Sequence, residues 1–124
     1  MTTQADARIV DWDPASVSPE ISAPPADRLL SGTPEQEVRN VYADPGGQFF
    51  AGTWSSSPGR WRVAYTEHEF CRLTRGRIRI ESDAGEIRSY AAGDSFVVPA
   101  GFTGIWEVVE PAEKQYVIFE PARD

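Results

Sequence analysis

Short segments with alternating apolar and polar residues, separated by glycine and proline turns, restrict the fold more than any other feature of this sequence. The clearest example is "RIRIES", in which Ile78 and Ile80 alternate with Arg77, Arg79 and Glu81. That period belongs to a strand with one buried face. No long segment shows the period of a helix. Many short strands joined by such turns predict an all-β sandwich or barrel.

Turn signals divide the chain into these strands. Pro58-Gly59 predicts a reverse turn, and Gly85 in "SDAGE" predicts a hairpin turn because glycine tolerates the required backbone angle. Pro99 should end the strand in "SFVVPAG". Near the end of the chain we predict two strands, "GIWEVVE" and "QYVIFEP", joined by a turn at "EPAEK".

Residues 1–40 differ from the rest of the chain. The stretch "DPASVSPEISAPPADRLL" contains four prolines and shows no strong period. We therefore predict an irregular N-terminal arm over 1–40, with a possible interface strand, and a barrel over 41–124. A length of 124 residues suits one domain.

Composition excludes several classes of function. The net charge of −7 argues against a nucleic-acid partner, because such binding depends on clustered Lys and Arg. A single cysteine, Cys71, excludes an intrachain disulfide and a cysteine metal cage. No segment approaches the roughly 18 apolar residues of a membrane span, and no signal peptide is evident, so we expect a cytoplasmic protein without a membrane partner.

Two glycine-anchored blocks, Glu69 to Gly76 and "GDSFVVPAG", resemble the two halves of the cupin signature. The chain is similar, over about residues 45–120, to the small single-domain cupins grouped with ureidoglycine aminohydrolase and ethanolamine-utilisation cupins. The matching positions are Glu69-Phe70-Cys71, Leu73, Gly76, Gly93-Asp94, Pro99-Ala100-Gly101, Gly104, Trp106-Glu107, Glu110, Lys114 and Tyr116. The resemblance implies a double-stranded β-helix (jelly-roll barrel) and a homodimer with N-terminal strands packed across the partner.

The resemblance also implies where a metal would bind. Metal-binding cupins place three histidines where this chain has Val63, Tyr65 and Gly104, so Glu69 alone remains of the usual ligands. His68 does not replace them, because neighbouring strand residues point to opposite faces. We expect no cofactor; the weaker alternative is a divalent cation at Glu69, held by oxygen ligands.

If Glu69 faces inward, the residues on its face form an aromatic pocket with one or two carboxylates. A buried carboxylate must be paired, protonated or ligand-bound. Glu69 either contacts a ligand or is structural, bonded to Tyr65 or to a basic residue such as Lys114. Glu67 either lies close to Glu69, which would raise the pKa of one of them, or is exposed in a loop. The candidate catalytic residues are Glu69 and Tyr65, and the candidate ligand-binding residues are Trp106, Tyr116, Lys114 and Glu67.

Three functions remain open. The first is a metal-free cupin that binds a small carboxylate, amine or sugar derivative, and the residues favour it without deciding whether it is an enzyme. The second is a metal-dependent cupin enzyme with a reduced oxygen-ligand site. The third is a non-catalytic structural or regulatory dimer module. The register of the last strand, and with it the position of Lys114 and Tyr116, is not determined by the sequence pattern.

Overall fold

A computed structural model describes residues 7–122 of the chain. Within them a short 3-10 helix, Pro14–Ser16, precedes nine strands. The strands are β1 (Glu20–Ser22), β2 (Leu29–Gly32), β3 (Gln36–Ala43), β4 (Phe49–Ser56), β5 (Gly59–Ala64), β6 (His68–Ser82), β7 (Ile87–Ala91), β8 (Ser95–Val98) and β9 (Thr103–Phe119). The all-β prediction is confirmed. Over this described range, none of the helical structure is long and apolar enough to cross a bilayer.

The two longest strands, β6 and β9, organise the sheet. They pair antiparallel along most of their length. On its other edge β9 pairs with β5 over its first half and with β4 over its second half. β7 and β8 pair with opposite ends of β6, and β1 and β2 extend the outer strands β3 and β5. One curled antiparallel sheet therefore forms two layers, which confirms the predicted jelly-roll barrel.

β9 is one continuous strand from Thr103 to Phe119, so the predicted turn at "EPAEK" was wrong. The chain bends there without breaking the strand, because the register with β6 shifts between Leu73 and Ile78. Gly76 makes the bend possible. Its φ of +85° favours glycine, and an added Cβ would collide with the Pro111 carbonyl on β9.

The N-terminal region contains two short strands, β1 and β2, that join the sheet. Arg39 in β3 attaches the segment before β1 to the sheet by donating a hydrogen bond of 2.7 Å to the carbonyl of Val17. The expected boundary between arm and barrel at residue 40 falls inside β3, and the division into two parts stays a prediction. Residues 1–6 of the expected arm lie outside the described residues.

The core lies between the two layers and follows the predicted alternation. Ile78 and Ile80 are buried. The largest fully buried side chains are Trp106, Leu73, Ile78, Val108 and Cys71. At the turns, Gly85 has the expected positive φ of +92°, and Asp94 accepts a hydrogen bond of 2.9 Å from the Ala91 N–H.

Candidate functional site

Among the described residues, one pair of charged side chains is buried inside the barrel, where the first half of β6 pairs with the second half of β9. Glu69 is 4% exposed and Lys114 is 5% exposed. The ladder explains their position: Cys71 pairs with Tyr116 and Leu73 with Lys114, so these residues and Glu69 alternate onto the inward face. The register that the sequence left open thus brings Lys114 to Glu69.

Both oxygens of the Glu69 carboxylate are bound. Lys114 Nζ lies 2.8 Å from Glu69 Oε2. The Tyr65 hydroxyl donates a hydrogen bond of 2.8 Å to Glu69 Oε1. A buried carboxylate is tolerated only when its charge is balanced and its lone pairs are satisfied, and the two partners meet both conditions. Tyr65 and Lys114 are also the two partners that the sequence analysis named for a structural role of Glu69.

The Lys114 ammonium is also enclosed by aromatic rings. Its Nζ lies 4.7 Å from the ring centre of Trp54 and 4.4 Å from that of Trp106. Trp54 pairs directly with Lys114 across the β4–β9 ladder, which places the ring there. Cation–π attraction replaces part of the hydration that the ammonium loses on burial. Sequence reasoning missed this role of Trp54, since only the register of β9 reveals it.

Three groups around Glu69, namely Lys114, Tyr65 and Cys71, are held in their protonated forms. Burial of Lys114 acts to lower its pKa, but attraction and hydrogen bonding to Glu69 and interaction with Cys71 outweigh it, so the pKa is raised from 10.5. Burial and the adjacent Glu69 carboxylate raise the pKa of Tyr65 well above 10.0. Burial raises the pKa of Cys71 to about 12. At neutral pH the site therefore contains a charged ammonium, a neutral phenol and an unreactive thiol.

A small cavity of about 120 Å³ lies against this cluster. Its lining consists of Gln36, Trp54, Trp61, Val63, Tyr65, Trp106 and Lys114. An outer pocket of about 450 Å³ shares the lining residues Gln36, Trp61, Val63 and Tyr65 with it, so the two are adjacent. The outer pocket reaches the surface beside Arg28. We call these the inner cavity and the outer pocket.

Trp106, which lines the inner cavity, contains an unsatisfied donor. The residue is 2% exposed, and its Nε1–H has no acceptor within residues 7–122. A buried donor without a partner costs about 1–3 kcal/mol.

The other predicted ligand-binding residues lie further from this cluster. The Tyr116 hydroxyl donates a hydrogen bond of 2.6 Å to Asn40 Oδ1, and Tyr116 lines neither the inner cavity nor the outer pocket. Glu67 is half-buried, lines the outer pocket and accepts a hydrogen bond of 3.0 Å from the Thr66 N–H. Glu69 is paired with Lys114 and Tyr65 instead of with Glu67. Ligand contacts by Tyr116 and Glu67 stay predictions.

His68 is exposed on the outer face of β6, as predicted. Its Nδ1 accepts a hydrogen bond of 3.1 Å from the Ala100 N–H, and its ring stacks on Phe119 at 6.3 Å. These contacts fasten the end of the sheet and keep the imidazole away from the buried cluster.

The residues around Glu69 do not fit a divalent cation. Among residues 7–122, no group of three or more His, Cys, Asp or Glu is placed to hold a metal. Val63 offers no donor atom, and the Tyr65 hydroxyl is bound to Glu69. Gly104 has no room for a side chain, because an added Cβ would collide with the Glu81 carbonyl. One carboxylate that already carries an ammonium is far from the six or more oxygens typical of a hard cation.

Comparison with known proteins places this geometry in context. The model of the EutQ-like cupin domain family matches residues 43–116. A protein of unknown function from Pseudomonas syringae pv. tomato DC3000 has a TM-score of 0.76 and 23% identity, covering 86% of this chain and 46% of that one. The present chain thus spans less than half of that protein's length.

For two further solved structures, the match covers nearly the whole length of the other protein. The putative ethanolamine utilization protein Q from Salmonella typhimurium LT2 has a TM-score of 0.65 and 13% identity, covering 86% of this chain and 99% of that one. A predicted oxalate decarboxylase from Thermotoga maritima has a TM-score of 0.69 and 16% identity, covering 92% and 100%. At these identities the likeness concerns the fold alone. No curated protein matches the sequence.

Proposed function

The chain belongs to the EutQ-like cupin family, and on that premise we propose that it is a metal-free small-molecule-binding cupin in which an internal lysine supplies the buried positive charge. The observation that carries this proposal is the contact of 2.8 Å between Lys114 Nζ and Glu69 Oε2. Glu69 stands at the one position of the usual metal site that retains its ligand. Its charge is already balanced, so the site needs no divalent cation.

The shape of the site supports binding of a small ligand. The inner cavity beside Lys114 and the outer pocket share four lining residues, so a ligand in the outer pocket would lie next to the buried cluster. Aromatic walls with a few converging polar groups are typical of small-molecule sites. The pKa values of Lys114, Tyr65 and Cys71 are all raised away from neutrality, which favours binding over acid–base catalysis by these groups.

Metal analysis tests the proposal. Protein purified without added metal should contain much less than one equivalent of metal per chain, and added Mn²⁺ should leave the midpoint of thermal unfolding unchanged. Small polar compounds should raise that midpoint. A metal stoichiometry near one that is lost in Glu69→Gln, but kept in the control Glu67→Gln, would contradict the proposal.

A homodimer is the proposed assembly. Apolar side chains stand exposed in cross-strand rows on the outer face of β4, β9, β6 and β8 and could be covered by a second copy. They are Phe49, Phe70, Val97, Val117 and Phe119. Light scattering should give twice the mass of the chain, and Phe70→Lys should reduce it to the mass of one. Absence of a nucleic-acid partner and a cytoplasmic location stay predictions.

A further inference from the structure

A further pocket lies on the outer face of the sheet, on the side away from the inner cavity. Its volume is about 420 Å³, within the range of small-molecule sites. Its lining consists of Trp12, Pro14, Ala15, Arg39, Thr53, Thr74, Glu113 and Gln115. Among the described residues, none of these lines the inner cavity or the outer pocket. We call this separate space the Trp12 pocket.

The floor of the Trp12 pocket is a row of polar side chains on neighbouring strands. Arg39 in β3 pairs with Thr53 in β4, and Thr53 pairs with Gln115 in β9. Glu113 is the next residue of β9 that points outward, and the Thr74 hydroxyl in β6 donates a hydrogen bond of 3.2 Å to its Oε1. Cβ atoms of directly opposed strand residues are only about 4.5–5.5 Å apart, so the floor is a continuous polar surface.

The polar groups of this floor have hydrogen-bonding capacity that solvent can reach. Within residues 7–122 the Thr53 hydroxyl and the Gln115 amide have no protein partner, yet neither belongs to the buried unsatisfied groups. Their polar atoms are therefore accessible to water. Arg39 donates one N–H to the Val17 carbonyl, and further N–H groups of its guanidinium remain for a ligand.

Trp12 adds an aromatic surface to the polar floor. The segment that carries it is held on the sheet by the hydrogen bond of 2.7 Å from Arg39 to Val17. Trp12 itself is 44% exposed, although a large aromatic side chain gains most when it is covered. A ligand with one apolar face and several hydroxyl or amide groups would cover the indole and bond to the floor at the same time.

From this combination we infer that the Trp12 pocket binds one ring of a neutral sugar or a related polyol. Sugar hydroxyls both donate and accept hydrogen bonds, which matches the donors of Arg39, the acceptors of Glu113 and the amide of Gln115. The C–H groups of a sugar ring form the apolar face that packs on an indole. The inference goes beyond the proposed function, because this pocket lies outside the barrel.

Charge and polarity argue against other ligand classes. Arg39 and Glu113 are the charged groups in the described lining, and their charges cancel. An anion would be repelled by Glu113, and an amine would be repelled by Arg39. An apolar compound would cover the free groups of Thr53 and Gln115 without bonding to them. A neutral polyol avoids all three costs.

Titration with methyl glycosides of glucose, galactose and mannose tests the inference. The chain has four tryptophans, and the indole N–H signal of Trp12 in an NMR spectrum is assigned by its loss in Trp12→Phe. At least one glycoside should shift this signal in a saturable manner, while the signal of the buried Trp106 stays in place. Glucuronate, an anion, and alanine, a zwitterion without hydroxyls, should bind more weakly. Failure of every glycoside, or tighter binding of glucuronate or alanine, would overturn the inference.

Two variants at the surface of the pocket separate its wall from its floor. Trp12→Ala should lower glycoside affinity about tenfold, because it removes the aromatic face. Thr53→Val keeps the shape of the side chain and should lower affinity roughly 2- to 12-fold, as expected for one lost hydrogen bond. Ser55→Ala is the control, since Ser55 is the next outward residue of β4 and does not line the pocket. Wild-type affinity in Trp12→Ala or in Thr53→Val would contradict the proposed contacts.

The Trp12 pocket adjoins the face proposed for the homodimer, because Val117 follows Gln115 on the outward side of β9. Glycoside affinity should therefore be compared between wild type and Phe70→Lys. Equal affinities support a pocket that stays open in the assembly. Binding by Phe70→Lys alone would show that a second copy closes the pocket, and the inference would fail. A failure of the proposed metal-free barrel site is seen separately, as stoichiometric metal at Glu69.

Discussion

The two halves of the ladder between β6 and β9 bury very different side chains. One half encloses the ion pair of Glu69 and Lys114, and the other encloses the apolar residues Ile78, Ile80 and Val108. Both halves follow the same alternation of inward and outward residues. The comparison teaches that strand period decides which residues face inward, whereas the register with a distant strand decides whether an inward charge is tolerated.

The halves should also respond differently to substitution. Each apolar side chain contributes roughly 1.5–3 kcal/mol by leaving water, largely independently of its neighbours. The buried ion pair contributes little net stability compared with apolar residues of the same shape, yet breaking it is costly. The polar half is therefore the more fragile one, and its members act together.

The largest effect is expected for Lys114→Met. This change leaves the Glu69 carboxylate buried without its ammonium, which should lower the free energy of unfolding by about 3–5 kcal/mol. Urea denaturation at neutral pH measures it. Adding Glu69→Gln should recover most of the loss, because no unpaired charge then remains. If the free energy of unfolding of Lys114→Met alone lies within about 1 kcal/mol of the wild-type value, the two charges are not coupled as described.

The next effect concerns the bend between the halves. Gly76→Ala should cost about 2–3 kcal/mol, because its φ of +85° is strained for alanine and the Cβ would collide with β9. Gly85→Ala is the matched control, since φ there is +92° but no atom lies within 4 Å of the added Cβ. Urea unfolding of both variants separates backbone strain from the close approach of the strands. Equal losses of unfolding free energy in the two variants would mean that the close approach of Gly76 to Pro111 does not contribute to the cost.

The bend is also the feature that the sequence pattern did not predict. Alternation and turn residues predicted an all-β sandwich or barrel and placed His68 on the face opposite to Glu69, while the jelly-roll barrel and the inward position of Glu69 followed from the cupin resemblance. Pro111 in "EPAEK" suggested a turn, but a proline lacking an N–H also fits a bulge inside a long strand, and here it lies in one. Because the bulge sets the register of β9, the enclosure of Lys114 by Trp54 and Trp106 could not be derived from the pattern.

A smaller effect is expected from alkaline pH, and it should arise from the polar half. The folded chain holds protons more tightly than the unfolded chain, because the pKa is raised from 9.0 to about 12 at Cys71 and from 10.5 at Lys114. The pKa of Tyr65 is also raised well above 10.0. The contribution of these three groups to the free energy of unfolding is fully present below pH 9.0 and is lost as pH rises towards about 12.

Urea midpoints measured across this interval check the expected decline. The double variant Glu69→Gln/Lys114→Met lacks the lysine, and its midpoint should decline less steeply than that of wild type. Parallel profiles for the two proteins would assign the alkaline loss to groups outside the ion pair.

The smallest effect should come from Ile78→Val in the apolar half. This change removes one buried methylene and should cost about 0.5–1.5 kcal/mol. Ile78 has no charge to leave unpaired, so the loss should be the same at neutral and alkaline pH and should add to that of Lys114→Met. Urea unfolding of the single and double variants tests this additivity, because independent sites agree within about 0.3–0.5 kcal/mol. A larger coupling would mean that the bend at Gly76 transmits strain between the halves, and that they do not respond as separate units.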